Sequence, residues 1–157
     1  LAASQFVPVD AALIPCDEPC PVHGTDFEFR RAKTLACHLG ASPQQQRVGG
    51  GYDHAFLLSE EARAGEVPAA EFRSSDGRLT ARLYTDQPAL QVYTGNQLAG
   101  TPGRAGVVYP NFAGIALEPG LPPDAPNRLN WPSAAGAIAR PGRPWRASMR
   151  WQFLPTP

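Results

Sequence analysis

Residues 71–84 read Glu71-Phe-Arg-Ser-Ser-Asp-Gly-Arg-Leu-Thr-Ala-Arg-Leu-Tyr84, a pattern typical of a β-hairpin. Leu79, Ala81 and Leu83 alternate with Thr80, Arg82 and Tyr84, so the two sets would lie on opposite faces of one strand. The Ser-Asp-Gly sequence before them supplies the turn that joins this strand to the preceding one. These residues therefore predict an antiparallel sheet with one buried face.

The same alternation recurs along the chain. Near the end, Ala147, Met149, Trp151 and Phe153 alternate with polar residues, which predicts a half-buried strand with a polar outer face. Shorter strands are predicted around residues 52–58, 89–94, 106–109 and 113–118. Helical turns are expected only within residues 33–39 and 60–64. The predicted fold class is all-β, an antiparallel β-sandwich.

Composition limits the function further. The chain has 157 residues, which suits one domain over 1–157, and its 18 Pro and 15 Gly favour a turn-rich fold. Fourteen Lys and Arg balance 14 Asp and Glu, and this neutral charge argues against a nucleic-acid partner. No apolar run approaches the roughly 20 residues of a membrane span, so no membrane association is expected.

The three cysteines, Cys16, Cys20 and Cys37, are a poor disulfide framework because their number is odd. A reducing, cytoplasmic location is therefore expected. Side chains of types that bind zinc do gather in a short stretch: Cys16, Cys20, His23, Cys37 and His38. The paired Cys-x2-Cys spacing of a zinc ribbon is absent, and residues 15–21 have the prolines of a loop. The sequence favours ordinary cysteines over a metal site.

Three polar residues stand out within or beside otherwise apolar strands. Asp53 begins an apolar run, Gln91 lies within a strand, and Glu118 ends the strand Gly114-Ile-Ala-Leu-Glu118. Polar groups in such positions are costly unless a partner or ligand compensates for the lost water. We expect Glu118 to act as a general base, because partial burial would raise its pKa towards neutrality.

Five segments occur in an order that resembles one known family. They are Val22-His-Gly-Thr-Asp-Phe-Glu-Phe-Arg30, Gly50-Gly-Tyr-Asp-His-Ala-Phe56, Tyr84-Thr-Asp-Gln-Pro-Ala-Leu-Gln-Val-Tyr-Thr-Gly-Asn96, Leu117-Glu-Pro with Pro-Asp-Ala-Pro-Asn127, and Arg140-Pro-Gly142. Together they resemble the aldose 1-epimerase (galactose mutarotase) family, over nearly the whole chain. The resemblance implies a large antiparallel β-sandwich, of which this chain corresponds to roughly the C-terminal half.

The resemblance also implies roles for the three polar residues. Glu118 would be the general base that takes the proton from the anomeric O1 hydroxyl of a hexose, while Asp53 and Gln91 would bind the sugar. Mutarotation opens the ring by deprotonating O1 and protonating the ring oxygen O5, and then recloses it on the other face of C1. That chemistry needs a base, an acid and hydrogen-bonding groups, so no metal and no organic cofactor is expected.

The chain departs from the family pattern at three positions. Ala55 stands where the family usually has Asn, Gly120 where it has Gln, and Glu28 where it has Asp. The first two positions are expected to lie beside the site and to loosen sugar contacts, and the third is expected to be structural.

A larger departure concerns the general acid. The resemblance assigns that role to a His of the N-terminal half, which also supplies an Arg and a second His, and no matching segment occurs in this sequence. The histidines of this chain are His23, His38 and His54, and strand alternation would turn His54 away from Asp53.

Three interpretations follow. The chain is an aldose 1-epimerase or part of one; or a non-catalytic carbohydrate-binding module or pseudoenzyme; or, less favoured, a structural domain that completes a sandwich with a partner chain. A hexose is the expected ligand in the first two cases. Exposed strand edges would invite a homodimer or pairing with a missing N-terminal half.

Overall fold

The fold consists of antiparallel sheets with few helices, as the alternation predicts. A computed structural model describes residues 1–131, 134 and 136–155, apart from the side chain of Cys37. The strands are β1 (Ala3–Phe6), β2 (Cys20–Pro21), β3 (Asp53–Leu58), β4 (Ala70–Arg73), β5 (Leu79–Thr85), β6 (Ala89–Tyr93), β7 (Thr101–Pro102), β8 (Val108–Tyr109), β9 (Ala116–Gly120) and β10 (Met149–Pro155). All of their pairings are antiparallel. The predicted all-β fold class is confirmed.

Two sheets form the sandwich. The larger has five strands in the order β2-β1-β3-β6-β9, and the smaller has three in the order β10-β5-β4. They share one apolar core, to which the larger sheet contributes Phe6, Phe56 and Leu90 and the smaller sheet Ala70 and Leu83. The strands β7 and β8 form a separate two-stranded ribbon.

The predicted hairpin is β4 and β5, in which Ala70 pairs with Leu83. The Asp76 carboxylate fixes its turn, because Oδ1 accepts hydrogen bonds from the Ser74 hydroxyl at 2.6 Å and the Arg78 N–H at 3.0 Å. Gly77 has a φ of +73°, a conformation that favours glycine. The Asp-Gly pair that predicts a turn in the sequence thus forms the turn of this hairpin.

The helices are short. They are α1 (Pro43–Arg47) and α2 (Glu60–Arg63), with 3-10 turns at Leu35–His38, Arg104–Gly106 and Ala125–Asn127. The predicted turns within 33–39 and 60–64 are present, whereas α1 was not predicted. Its signal is a capping box, in which Ser42 and Gln45 bond each other's backbone, with Pro43 in the first turn. Within the described residues, no helix combines the length and the apolar character that crossing a membrane requires.

A second correction concerns residues 15–21, which the prolines predicted to be a loop. Cys20 and Pro21 instead form β2, where they pair with Phe6 and Gln5 of β1. A proline fits there because β2 is an edge strand, where one row of backbone groups needs no partner.

Strand β3 has packed structure on both faces, because one side meets the core between the sheets and the other meets a second apolar cluster. His54, Phe56 and Leu58 point into the core between the sheets. Ala55 points the other way, into a second cluster with Val7, Ala125 and Trp131. The outer face of the sheet therefore also carries packed structure, and Asp53 lies on it.

Candidate functional site

Three neighbouring strands bring the predicted site residues together. In the register of the sheet, Gln91 of β6 lies opposite Ala55 of β3 on one side and Glu118 of β9 on the other. Asp53 pairs with Tyr93, two residues along β6 from Gln91. Because side chains two residues apart share a face, Asp53, Gln91 and Glu118 all lie on the outer face of this sheet.

Asp53 and Gln91 contact each other directly. The Gln91 amide donates from Nε2 to Asp53 Oδ1 at 2.7 Å. This bond orients the amide and leaves its oxygen, Oε1, buried and without a hydrogen-bond donor among the described residues. A buried acceptor of this kind is costly unless it receives a hydrogen bond, so it favours a ligand that carries hydroxyl groups.

Glu118 differs from expectation. Its side chain is exposed rather than partly buried, because β9 is the edge strand of the sheet. The premise of the sequence argument at this residue is therefore wrong, although its position is as predicted. The Glu118 carboxylate is therefore accessible to a ligand that contacts Gln91, its neighbour on the same face of the sheet.

An open cavity of about 600 Å³ covers these residues. Its volume is within the range of small-molecule sites, about 300–1,000 Å³. The lining includes Asp53, Gln91 and Glu118, together with Tyr93 and Gln97. All three predicted site residues therefore face the same space.

Ala55 and Gly120, which replace polar residues of the resembled family, also line this cavity. Glu28, the third departure, lies elsewhere and forms an ion pair with Arg30. Hydrogen bonding to Arg30 lowers the pKa of Glu28 to about 2. The two departures expected beside the site are thus found there, and the third belongs to a surface ion pair.

His54 lies on the opposite side of the sheet from the cavity residues, as alternation predicts for a neighbour of Asp53. Its imidazole packs edge-on against Phe27, with ring centroids 4.8 Å apart, and its Nδ1 accepts the backbone N–H of Asp53 at 3.2 Å. Burial lowers the pKa of His54 to about 4, so the ring is neutral at physiological pH.

The other two histidines pair with acidic residues away from the cavity. His23 Nδ1 lies 3.6 Å from Glu28, and His38 Nδ1 lies 3.3 Å from Asp26. Among the residues that the structure describes, no histidine lines the 600 Å³ cavity.

The possible zinc ligands do not assemble in the described part of the chain. Cys16 and Cys20 are free thiols there. No group of three or more His, Cys, Asp or Glu side chains with metal-binding geometry occurs among the described residues. The side chain of Cys37 lies outside them.

A buried polar network fixes the strands β3 and β6 relative to each other. The Thr94 hydroxyl accepts the Tyr52 N–H at 2.9 Å and donates to Asn96 Oδ1 at 2.6 Å. The Asn96 amide donates to the carbonyl oxygens of Val48 at 2.7 Å and Tyr52 at 3.1 Å. Sequence reasoning missed this network, whose only signal is a pair of polar residues directly after β6. It joins the beginning of β3, where Asp53 lies, to the end of β6.

The network leaves no room for a side chain at residue 51. A Cβ placed on Gly51 would lie 2.1 Å from Asn96 Oδ1 and 2.4 Å from the Thr94 hydroxyl. Residue 51 must therefore be glycine, because the side chains of Asn96 and Thr94 approach its backbone too closely for a Cβ.

Comparisons with known proteins agree with the fold. Residues 1–152 match the family model described as aldose 1-epimerase. The chain is 41% identical over 154 residues to the aldose 1-epimerase of Escherichia coli K12 and 36% identical over 154 residues to the galactose mutarotase of Mus musculus. These alignments cover 98% of this chain but only 44% and 42% of those proteins. The chain thus spans less than half the length of the curated relatives it matches.

Two solved structures have a similar fold. An aldose epimerase homologue from C. elegans gives a TM-score of 0.79 at 21% identity, over 100% of this chain and 45% of that one. Galactose 1-epimerase from Lactobacillus acidophilus gives 0.72 at 26% identity, over 99% of this chain and 42% of that one.

Proposed function

This chain belongs to the aldose 1-epimerase family, and on that premise we propose that its outer-face cavity takes part in interconverting the α and β anomers of a hexose. The observation that carries the proposal is the shared face of Asp53, Gln91 and Glu118 on three neighbouring strands. A carboxylate for proton transfer and two groups for hydroxyl recognition then face one cavity.

Glu118 is the general base in this proposal. Its carboxylate takes the proton from the O1 hydroxyl, the O1–C1 bond becomes a carbonyl, and the C1–O5 bond breaks as O5 accepts a proton. Rotation about the C1–C2 bond presents the other face of the aldehyde, and the reverse steps close the ring. The exposed position of Glu118 supports this role, because the carboxylate can approach a sugar without first breaking an internal ion pair.

Asp53 and Gln91 bind the sugar in this proposal. The bond from Nε2 to Asp53 holds the two side chains together, and a small movement that uncovers the buried Oε1 of Gln91 lets this oxygen accept a sugar hydroxyl. That hydrogen bond would remove the cost of leaving a buried acceptor unpaired.

In our proposal, none of the three histidines of this chain is the acid that protonates O5. His54 is buried on the other face of the sheet, and His23 and His38 lie outside the cavity. By the resemblance, the acid belongs to a segment like the N-terminal half of the longer relatives. We therefore expect this chain by itself to accelerate mutarotation only weakly.

We also propose that the chain pairs with such a segment, or with a second copy when it is alone. The core-facing side of the small sheet extends beyond the core, where Met149 is 57% exposed and Phe153 61% exposed. Phe153 pairs with Ala81, which is buried, so the same face is covered at β5 and open at the edge strand β10. Light scattering should show a dimer that Phe153→Lys returns to a monomer. A wild-type monomer at high concentration would contradict self-association.

Polarimetry of freshly dissolved α-D-glucose tests the assignment of Glu118. Any acceleration by the wild-type chain should disappear in Glu118→Gln and persist in Glu66→Gln, a matched change at an exposed Glu outside the cavity. Acceleration that survives Glu118→Gln would remove Glu118 from the role of base.

A second function, a non-catalytic carbohydrate-binding module or pseudoenzyme, is favoured by one observation, the lack of a histidine among the described residues around the cavity. It predicts glucose binding that Asp53→Ala weakens, with no acceleration of mutarotation by the wild-type chain. Calorimetry and polarimetry on the same sample distinguish the two functions.

A further inference from the structure

A fourth polar side chain, that of Tyr93, lines the same cavity. It lies directly opposite Asp53 in the pairing of β3 with β6, and two residues from Gln91 on the same face. Tyr93 is half-buried, so part of its side chain remains accessible on the cavity side of the sheet.

A backbone hydrogen bond fixes the direction in which the Tyr93 hydroxyl can donate. Its oxygen accepts the backbone N–H of Gln97 at 3.1 Å. A phenol has one O–H to donate, and with its oxygen receiving a proton from the main chain, that O–H must point away from Gln97. No acceptor for it is found among the described residues, so the hydroxyl is a free donor on the cavity wall.

The donor of this contact is itself fixed by the loop after β6. Asn96 is buried and bonds two carbonyl oxygens, and it directly precedes Gln97. Gly95 has a φ of +68°, and a Cβ there would lie 2.9 Å from the carbonyl oxygen of Gly114. The Gln97 N–H is therefore positioned before any ligand binds, and so is the hydroxyl of Tyr93.

The register gives the spacing between Tyr93 and the proposed base. Gln91 and Glu118 lie opposite each other across β6 and β9, whereas Tyr93 lies one row further along β6, about 7 Å away at 3.4 Å per residue. A hexopyranose is of comparable length, so a ring with O1 at Glu118 that lies along β6 towards Tyr93 would bring its C3 and C4 hydroxyls to this row.

We propose that Tyr93 is a substrate-binding residue that donates its O–H to the C3 or C4 hydroxyl of the hexose, and that it thereby contributes to the choice between sugars. The inference rests on the proposed function, because it takes a hexose with O1 at Glu118 as the ligand. It assigns to this residue a specificity that Asp53 and Gln91 alone do not supply, since Gln91 offers an acceptor to the ligand and Asp53 is an acceptor as well.

Binding measurements on the full chain test the proposal, with D-glucose, 3-deoxyglucose and 4-deoxyglucose as probes. Tyr93→Phe should weaken glucose binding about 3- to 10-fold, the usual effect of losing one neutral hydrogen bond. Tyr84→Phe, a matched change on the small sheet outside the cavity, should bind glucose like the wild type. One of the two deoxy sugars should bind wild type and Tyr93→Phe equally, because the hydroxyl that Tyr93 contacts is then already missing.

The deoxy sugars distinguish a direct contact from a structural role. A purely structural effect of Tyr93→Phe would weaken all three sugars by the same factor, and that result would overturn the proposal. Equal glucose affinity of wild type and Tyr93→Phe would overturn it as well. If Tyr93→Phe does not fold, equal affinity of the wild type for glucose and both deoxy sugars would still overturn the proposal, since the contacted hydroxyl should contribute about 3- to 10-fold.

The affinity comparison for Tyr93 can be interpreted independently of the role of Glu118 as a base. Affinity is measured without turnover, so mutarotation that survives Glu118→Gln would leave the Tyr93 comparison unaffected. A wild-type chain that binds none of the three sugars would contradict both proposals.

Discussion

Gln91 donates a side-chain hydrogen bond to Asp53 at 2.7 Å across the neighbouring strands β6 and β3 of the larger sheet. The bond joins residues that are 38 positions apart in sequence and fixes the amide so that its oxygen is buried without a donor. The two side chains are thus held together before a ligand arrives, and one buried acceptor is left unpaired.

The contact between Asp53 and Gln91 should be measurable as a coupling energy. We expect Asp53→Ala and Gln91→Ala to be non-additive by about 1 kcal/mol in the free energy of unfolding, because each removes the partner of the other. Urea unfolding of the wild type, both single variants and the double variant measures this. Gln97→Ala, on the same cavity wall, should be additive with Asp53→Ala, and equal coupling in both pairs would disprove a specific contact.

Burial of His54 should make stability depend on pH in a defined window. Its pKa is lowered from 6.5 to about 4 by burial, so as the pH falls the unfolded chain binds this proton before the folded chain does. The free energy of unfolding is therefore not reduced by this histidine above pH 6.5. Between pH 6.5 and pH 4 it falls progressively, by about 3 kcal/mol in all.

Chemical unfolding at several pH values measures that loss. In His54→Phe, whose ring suits the aromatic surroundings of Phe6 and Phe27, the part of the slope between pH 6.5 and 4 that this histidine causes should vanish. Identical slopes in the variant and the wild type would show that His54 does not titrate in this way.

Gly51→Ala should destabilise the chain by about 2–4 kcal/mol, because the new methyl group would overlap Asn96 and Thr94 and break their buried hydrogen bonds. Gly114→Ala is the control, since a Cβ there meets nothing within 4 Å and φ is not positive. Thermal unfolding compares them. Similar melting temperatures for the two variants would contradict the argument from close approach.

Gly120→Gln, which restores the residue usual in the family, should be accommodated. A Cβ at Gly120 meets nothing within 4 Å, and replacing a strand glycine adds up to about 1 kcal/mol of stability. We expect glucose binding to tighten a few-fold, because the new amide reaches the cavity.

The other restoring change, Ala55→Asn, should instead destabilise the fold, since Ala55 is 2% exposed and packs against Val7 and Trp131. Calorimetry and thermal unfolding on both variants would test this contrast. A loss of stability in Gly120→Gln equal to that in Ala55→Asn would contradict it.

Local patterning predicted much of this structure. The hairpin of β4 and β5 follows from alternation and a Ser-Asp-Gly turn, and the opposite directions of Asp53 and His54 follow from alternation alone. The exposure of Glu118 did not follow, because alternation gives the face of a residue and not whether its strand lies at an edge. The Thr94 and Asn96 network also needs the pairing of distant strands, which no local pattern contains.

Strand β3 assigns alternate residues to two separate tasks, with His54 and Phe56 in the core and Asp53 and Ala55 on the cavity side. Substitutions at the odd-numbered positions can therefore change ligand preference while the inner core keeps its composition. Insertion or deletion of one residue just before Asp53 would instead change both faces if it shifts the strand register by one residue. The carboxylate would then turn into the core, and the aromatic rings would turn onto the binding face. Residues 49–52 are consequently constrained both in length and in identity, because Gly51 has no room for a side chain and Tyr52 is buried. Most residues on the cavity wall should tolerate replacement far better than residues 49–52 tolerate insertion or deletion.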